Sequence, residues 1–402
     1  MAALSLFLDV PLTREVNWLL DAYREDPSPD KVYLDHRGRS CWLAWVCPTV
    51  RQTLLQIAND PTLDHEYLPV LGFPEFTRAA TELALGRESR AVIENRAGGI
   101  HTVGGTGAVR IGAEFLWRWY NTSSPTPIAV YIAFPQWGNL RCIFQDVGFT
   151  EIQPYHYWDT VRLAVAVEGF LEVLEVWSWL ELCQVPLVLN PSLFMKRLFP
   201  FFDVPAQGLA SGDLDRDAWA LRHFVAQGFE LFCAQSFSKT FGLYDERVGN
   251  LIVVARDNET LVRIRSQLQK QVMGTWATPA SLGARVIATV LNNPALLNKC
   301  LRMLAEKIML IREKLKEKLR ILGTPGCWDH LTAQSGTRSF TGLLSSQVAF
   351  LEKHKHIYLL GNGQVSVCSI NSHNLDYVAQ SINEAVSSTE GRAQGLSWAE
   401  ME

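Results

Sequence analysis

The most reactive group this sequence offers is a lysine set among aromatic and hydroxyl side chains. Lys239 lies in Ala234-Gln-Ser-Phe-Ser-Lys239-Thr-Phe-Gly242, just after the apolar run Leu231 to Ala234. The pattern reads as a buried strand, an exposed reactive loop and, past Arg247, a return strand. An amine in such a setting loses hydration and its pKa falls, which suits it to form a Schiff base with an aldehyde or ketone. The plain alternative is an exposed, solvated charge.

Three further stretches could serve such a lysine. His101-Thr-Val-Gly-Gly-Thr-Gly-Ala108 leads into a strongly helical segment, Val109 to Tyr120. Glycines at a helix start let several N–H groups converge on an anion at the positive end of the helix dipole, although the spacing matches neither the dinucleotide nor the nucleoside-triphosphate fingerprint. Pro127 to Phe134 reads as a buried strand ending in Pro135-Gln-Trp137-Gly138, and an aromatic beyond a strand end can cover a planar ligand. Phe199-Pro-Phe-Phe-Asp203 ends a second apolar run on a carboxylate, either a cap for the next turn or the partner of a buried cation.

Placing these groups together requires a sheet with helical returns. Strands alternating with helical segments across residues 100 to 255 predict βαβ units, a mostly parallel sheet and an α/β fold. Helices are expected over Thr13 to Arg24, Val50 to Asn59, Asp213 to Gln227, Asn258 to Met273 and from Ser281 to Leu291. Leu304, Ile308, Ile311, Leu315, Leu319 and Leu322 recur at three- and four-residue intervals, the apolar stripe of a long surface helix. Short strands within Ser339 to Leu344 and Val365 to Ile370, with a closing helix near Leu375 to Ala385, suggest a separate α+β domain. The Ser- and Glu-rich tail from Ser387 has a disordered composition.

Composition narrows the function classes. The chain has 402 residues, 48% hydrophobic and 19% charged, with a net charge of −4, which argues against a nucleic-acid surface. Eight cysteines without any C-x-x-C spacing point to free thiols in a reducing compartment. Leu4 to Leu8 is too short for a secretory signal, and the greasy stretch from Val161 to Phe202 is broken by Arg162, Glu168, Glu172, Glu175, Glu181 and Lys196, so no membrane span is expected. These features place the protein in the cytoplasm. His354-x-His356 sits in a Lys-rich stretch with only Glu352 as a carboxylate, so no metal site is expected.

In combination, these stretches give the sequence a resemblance to the aspartate aminotransferases, fold-type I enzymes that use pyridoxal phosphate. It runs through His65-Glu-Tyr-Leu-Pro69, Gly104-Gly-Thr-Gly-Ala-Val-Arg-Ile-Gly-Ala113, Phe199 to Asp203, Ala234 to Lys239 and Arg247-Val-Gly-Asn250. The resemblance implies a large cofactor domain over residues 48–310, a small α+β domain from 1–47 and 311–386, and a tail over 387–402. Lys239 matches the Schiff-base lysine and proton shuttle, Asp203 the carboxylate at the pyridine nitrogen, and Trp137 the stacking aromatic. Gly104, Gly105 and Thr106 fall on the phosphate loop, which Ser236 and Arg247 complete, and Asn190-Pro191 stands as the remnant of another cofactor motif. Tyr67 matches a tyrosine that reaches the phosphate from a second subunit, which implies a homodimer with shared active sites. The substrates implied are an amino acid and a 2-oxo acid.

The departures concern the substrate. Gln364 stands where the family has the arginine for the α-carboxylate, and Met273 where it has the arginine that selects dicarboxylates. Ala206 replaces a tyrosine on the cofactor ring oxygen, Leu140 a histidine behind the aspartate, and Asp35-His-Arg-Gly-Arg-Ser40 the substrate loop. Two lost charge-assisted contacts amount to roughly 4 kcal/mol, about a thousandfold in efficiency toward aspartate or glutamate. Arg37, Arg39 and Arg338 are candidates for a substitute carboxylate contact. The alternatives are a cofactor-binding dimer of weak or absent turnover and Cα chemistry without transamination.

Overall fold

The structure is a computed structural model that describes residues 18–35, 47–120, 128–134, 138–156, 158–159, 163–165, 182–184, 199–334 and 336–389. Its strands in chain order are β1 (Val32–Tyr33), β2 (Ala97–Val103), β3 (Val130–Phe134), β4 (Ile152–His156), β5 (Trp158–Asp159), β6 (Ala164–Val165), β7 (Leu182–Gln184), β8 (Phe199–Val204), β9 (Leu231–Ser236), β10 (Val248–Val254), β11 (Arg338–Phe340), β12 (Ile357–Tyr358) and β13 (Gln364–Ser366). Seven of them form one sheet in the order β2-β10-β9-β8-β7-β3-β4. The pairings from β9 through β8, β7 and β3 to β4 are parallel, while β10 runs antiparallel to both β9 and β2. The mostly parallel α/β sheet expected from the sequence is present.

Alternation along each strand decides what each face holds. Phe201, Phe232, Ala234, Leu251 and Val253 join the core on one face, and Phe202, Leu231, Cys233, Ile252 and Val254 the core on the other. Both faces are covered, which is why these strands are apolar throughout rather than alternating with polar residues. The first face packs Ile111 and Leu116 of the helix Gly104–Trp119. The second packs Ala84 and Leu85 of the helix Pro74–Leu85 and Leu221 and Phe224 of the helix Trp219–Ala226. By the same parity, residues 203, 236 and 249 belong to the face of the helix Gly104–Trp119.

Several element boundaries differ from expectation for local reasons. The helix placed from Val109 starts at Gly104, because Gly104 takes φ +68 and turns the chain directly out of β2. The single helix placed over Asp213 to Gln227 is two, Leu214–Asp217 and Trp219–Ala226, with Asp213 capping the first through the N–H groups of Asp215 and Arg216. The closing helix runs to Thr389, past the start expected for the tail, and residues 390–402 lie outside the described ones.

Contacts divide the chain into two units. The larger holds Trp45–Leu310 and Thr332–Thr337 and contains the seven-stranded sheet. The smaller holds Ile311–Leu331 and the described residues within Met1–Ala44 and Arg338–Glu402. In the smaller unit β1 pairs parallel with β12 and β11 antiparallel with β13, over a core that includes Leu319, Leu351, Ile357 and Val378. Asp26 closes it by accepting from the Tyr358 hydroxyl at 2.7 Å, with His356 Nδ1 also at 2.7 Å. His354 lies against Phe350 instead, so the two histidines of the His-x-His pair have separate partners. Among the described residues no helix is long and apolar enough to cross a membrane.

Candidate functional site

The site begins where β10 and β2 meet. Arg247 precedes β10 in a left-handed backbone conformation, φ +52, and its carbonyl accepts the Gly104 N–H at 2.6 Å. Thr102 Oγ1 donates to the Gly104 carbonyl at 2.9 Å, so the first turn of the helix Gly104–Trp119 is held at both backbone groups of Gly104. The glycines are required by proximity: a Cβ on Gly104 would lie 2.5 Å from Arg247 Nη2, and one on Gly105 2.9 Å from Ser236 Cβ. From the strand side, a Cβ on Gly249 would meet the Gly104 carbonyl at 2.3 Å. The guanidinium of Arg247 and the hydroxyl-bearing Ser236 are thus packed on the loop. No side chain caps this helix, which leaves the first-turn N–H groups after Gly104 to a ligand anion.

Lys239 and Asp203 come from neighbouring strands. Asp203 is the penultimate residue of β8, opposite Ala234 of β9, and Lys239 follows β9 by three residues. Lys239 is in a helical turn, Ser238–Phe241, and half-buried, where the sequence suggested an exposed loop. The flanking aromatics explain the difference: Phe237 and Phe241 are both buried with their rings stacked 6.0 Å apart, which draws the segment inward. Burial pushes the Asp203 carboxyl up to about 6, against the opposing pull of the Lys239 ammonium. Cys233 beside it is pushed up by burial and by the Asp203 charge. A carboxyl so placed gains from a cationic partner.

The structure therefore brings Gly104, Gly105, Ser236, Asp203, Lys239 and Arg247 into the larger unit's sheet end, with Thr106 exposed on the first helical turn. Tyr67 is also in this unit, 83% exposed, with its N–H on Glu66 Oε1. Arg338 belongs to the smaller unit, where its Nη1 donates to Asp35 Oδ1 and to Gln364 Oε1, each at 3.0 Å. Trp137, Asn190, Arg37 and Arg39 lie outside the described residues. Of the substituted positions, Leu140 is buried in the core, Ala206 half-buried and Met273 exposed.

Two supports of the loop were missed in the sequence. His101 is buried beneath it against the Phe76 ring at 4.8 Å, its Nδ1 has no hydrogen-bond partner among the described residues, and burial lowers it to about 3, so the imidazole is neutral. Asn250 donates to Gln235 Oε1 at 2.9 Å and Gln235 to the Ala80 carbonyl at 3.0 Å, a buried relay that ties β10 and β9 to the helix Pro74–Leu85. Neither pairing can be read without the strand register.

Known proteins are similar to this chain over nearly its whole length. The family described as aminotransferase class I and II matches residues 39–178 and 192–382. An aspartate aminotransferase, cytoplasmic, from Gallus gallus is 45% identical over 393 residues, covering 93% of this chain and 92% of that protein. The cytoplasmic aspartate aminotransferase of Saccharomyces cerevisiae superposes with a TM-score of 0.87 at 30% identity, covering 96% of this chain and 99% of that one. The aromatic-amino-acid aminotransferase of Burkholderia pseudomallei, solved covalently bound to pyridoxal phosphate, gives 0.86 at 30% identity, covering 95% and 100%. With two match segments that together exceed half the sequence and a relative this similar over its full length, the chain belongs to the class I and II aminotransferases.

Proposed function

We propose that this protein transfers an amino group between an amino acid of the aspartate and glutamate class and a 2-oxo acid, with low efficiency toward both dicarboxylates. It is an aminotransferase, and its cofactor is pyridoxal phosphate. The residues present fit that group: an uncapped helix start lined by glycines, with Arg247 and Ser236 against it, suits a phosphate, and the half-buried Asp203 suits a cationic ring. Bound pyridoxal phosphate supplies the sink for the electron pair left when a substrate Cα–H bond breaks. The first-turn N–H groups, Ser236 and Arg247 hold the phosphate, and Asp203 holds a proton at the ring nitrogen by its negative charge. Lys239 Nζ takes and returns the Cα proton. Trp137 and Asn190 join the cofactor set by resemblance, as does Tyr67 of the partner subunit in a homodimer with shared sites. The cytoplasm is the proposed compartment, in keeping with the name of the chicken relative.

The observation that carries this reading is the juxtaposition of Lys239 and Asp203 at one sheet end with the glycine-lined loop. A second reading, a cofactor-binding protein of weak turnover, is favoured by Arg338, whose guanidinium already pairs with Asp35 in a largely buried contact. A substrate carboxylate would have to displace Asp35 to use it. An absorption titration tests both. Pyridoxal phosphate should produce a new visible band in the wild type that Lys239→Ala lacks, and aspartate should then convert that band slowly. A band unchanged in Lys239→Ala overturns the assignment, and a band that no amino acid converts selects the second reading.

A further inference from the structure

Phe76 is a fully buried ring that belongs to neither the phosphate loop nor the lysine turn, yet packs on the approach to each. Its helix, Pro74–Leu85, begins where the chain is docked on β2: the His101 N–H donates to the Leu71 carbonyl at 3.0 Å, and an added Cβ on Gly72 would stand 2.0 Å from His101 Cβ. Phe76 then meets the His101 imidazole edge-on, with centroids 4.8 Å apart, three residues before Gly104. On its other side it meets Phe237 edge-on at 5.2 Å, two residues before Lys239. β2 and β9 are not neighbours in the sheet, since β10 runs between them, and this ring links the ends of both from the helix side.

The lysine turn depends on such packing. Ser238–Phe241 is a single helical turn, closed by the Phe241 N–H on the Phe237 carbonyl at 3.2 Å, and a helix this short takes its orientation from tertiary contacts rather than from its own hydrogen bonds. Phe237 and Phe241 are buried and stacked 6.0 Å apart. The series His101, Phe76, Phe237, Phe241 therefore runs from the stem of the phosphate loop to the far end of the turn that carries Lys239.

We propose that Phe76 is a positioning residue for amino-group transfer, setting the Lys239 turn against the phosphate loop so that Nζ is aligned for a cofactor held at that loop. The inference rests on the role proposed for Lys239. Loss of the ring leaves the anion contacts of the loop in place and lets the lysine drift, and a displacement of about 1 Å can cost on the order of 100-fold in rate.

The test compares Phe76→Leu with Phe144→Leu, the same change at another buried ring, on the helix Gly138–Val147. The readouts are the affinity for pyridoxamine phosphate, which carries ring and phosphate but no carbonyl for the lysine, the rate at which pyridoxal phosphate raises the visible band, and the melting temperature. Both variants should melt below the wild type. Of the two, only Phe76→Leu should slow the band, by about 10-fold or more, while binding pyridoxamine phosphate as the wild type does. Phe237→Leu breaks the same contact from the other side and should show the same split, so a Phe76 variant that fails to fold does not shelter the proposal. Equal slowing in Phe144→Leu, or a parallel loss of pyridoxamine-phosphate affinity in Phe76→Leu, overturns it. A wild type without a Lys239-dependent band overturns the role of Lys239, and this proposal with it.

Discussion

Asp203 sets the balance between stability and chemistry at the scale of single residues. Its carboxyl is raised to about 6 by burial, so the fold favours the protonated form. The stability this contributes is fully present below about pH 4, the ordinary carboxylate value, and is lost as pH rises through about 6. Asp203→Asn removes the loss. In cofactor-free protein the variant should match the wild type near pH 4 and exceed it by about 3 kcal/mol well above pH 6, as followed by thermal melts across that range. With cofactor the order reverses, because an amide cannot hold the ring proton: transamination should fall by about 100-fold or more. Equal pH dependence of the two proteins would remove Asp203 from the buried site. Lys239 and Asp203 stood out as candidates because each ends or follows an apolar run, whereas the roles of Ser236 and Arg247 came from resemblance. His101 and Asn250 were not legible, since their partners Phe76 and Gln235 are distant in sequence and meet them only in the fold.

Elements carry the phosphate loop through contact of backbone with backbone. Gly249 in β10 lies so close to Gly104 that an added methyl would overlap the carbonyl, with Gly105 N only 2.8 Å away. No side-chain rotation relieves that contact. Gly249→Ala should therefore cost about 1–3 kcal/mol and weaken pyridoxal-phosphate binding, measured by denaturant unfolding and by absorption titration. Gly274→Ala serves as its control, because nothing lies within 4 Å of the added carbon and the position is helical; it should be neutral or gain up to about 1 kcal/mol. The same crowding explains which elements the sequence concealed. β2 opens on Ala-Gly-Gly, which has no strand former, and Gly99 is there because a Cβ would overlap the Asn250 side chain at 2.6 Å. Packing overrides propensity in that strand. The helix Pro74–Leu85 was not among the expected ones, although it carries Pro at its first turn and Phe76, Ala80 and Ala84 on its buried face.

Across the whole molecule, the smaller unit joins residues from opposite ends of the sequence, and Asp26 is one of its fastenings. Burial alone would raise its pKa, but the Ser28 N–H, the Tyr358 hydroxyl and His356 outweigh burial and lower it. A lowered carboxylate contributes stability at neutral pH that is lost as pH falls through the folded value, below about 4. Asp26→Asn should lower unfolding free energy at pH 7 by about 1–3 kcal/mol, with the gap to the wild type closing on acidification below about pH 4. A gap that persists in acid would assign the effect to packing. The α/β class and the parallel sheet were legible from alternation of strands and helices. The joining of the two chain ends came from resemblance, because β1 and β12 are two residues each and carry no periodicity.

Arg247 holds a backbone conformation that glycine adopts freely and other residues adopt at a cost of about 1 kcal/mol or more. Under the proposed function the Arg247 side chain meets the cofactor phosphate, so part of the folded chain's free energy is deferred to ligand binding. Each tenfold excess of cofactor over its dissociation constant adds about 1.4 kcal/mol to the folded state. Protease resistance of the folded chain should therefore rise with cofactor concentration, as limited proteolysis with and without pyridoxal phosphate would read.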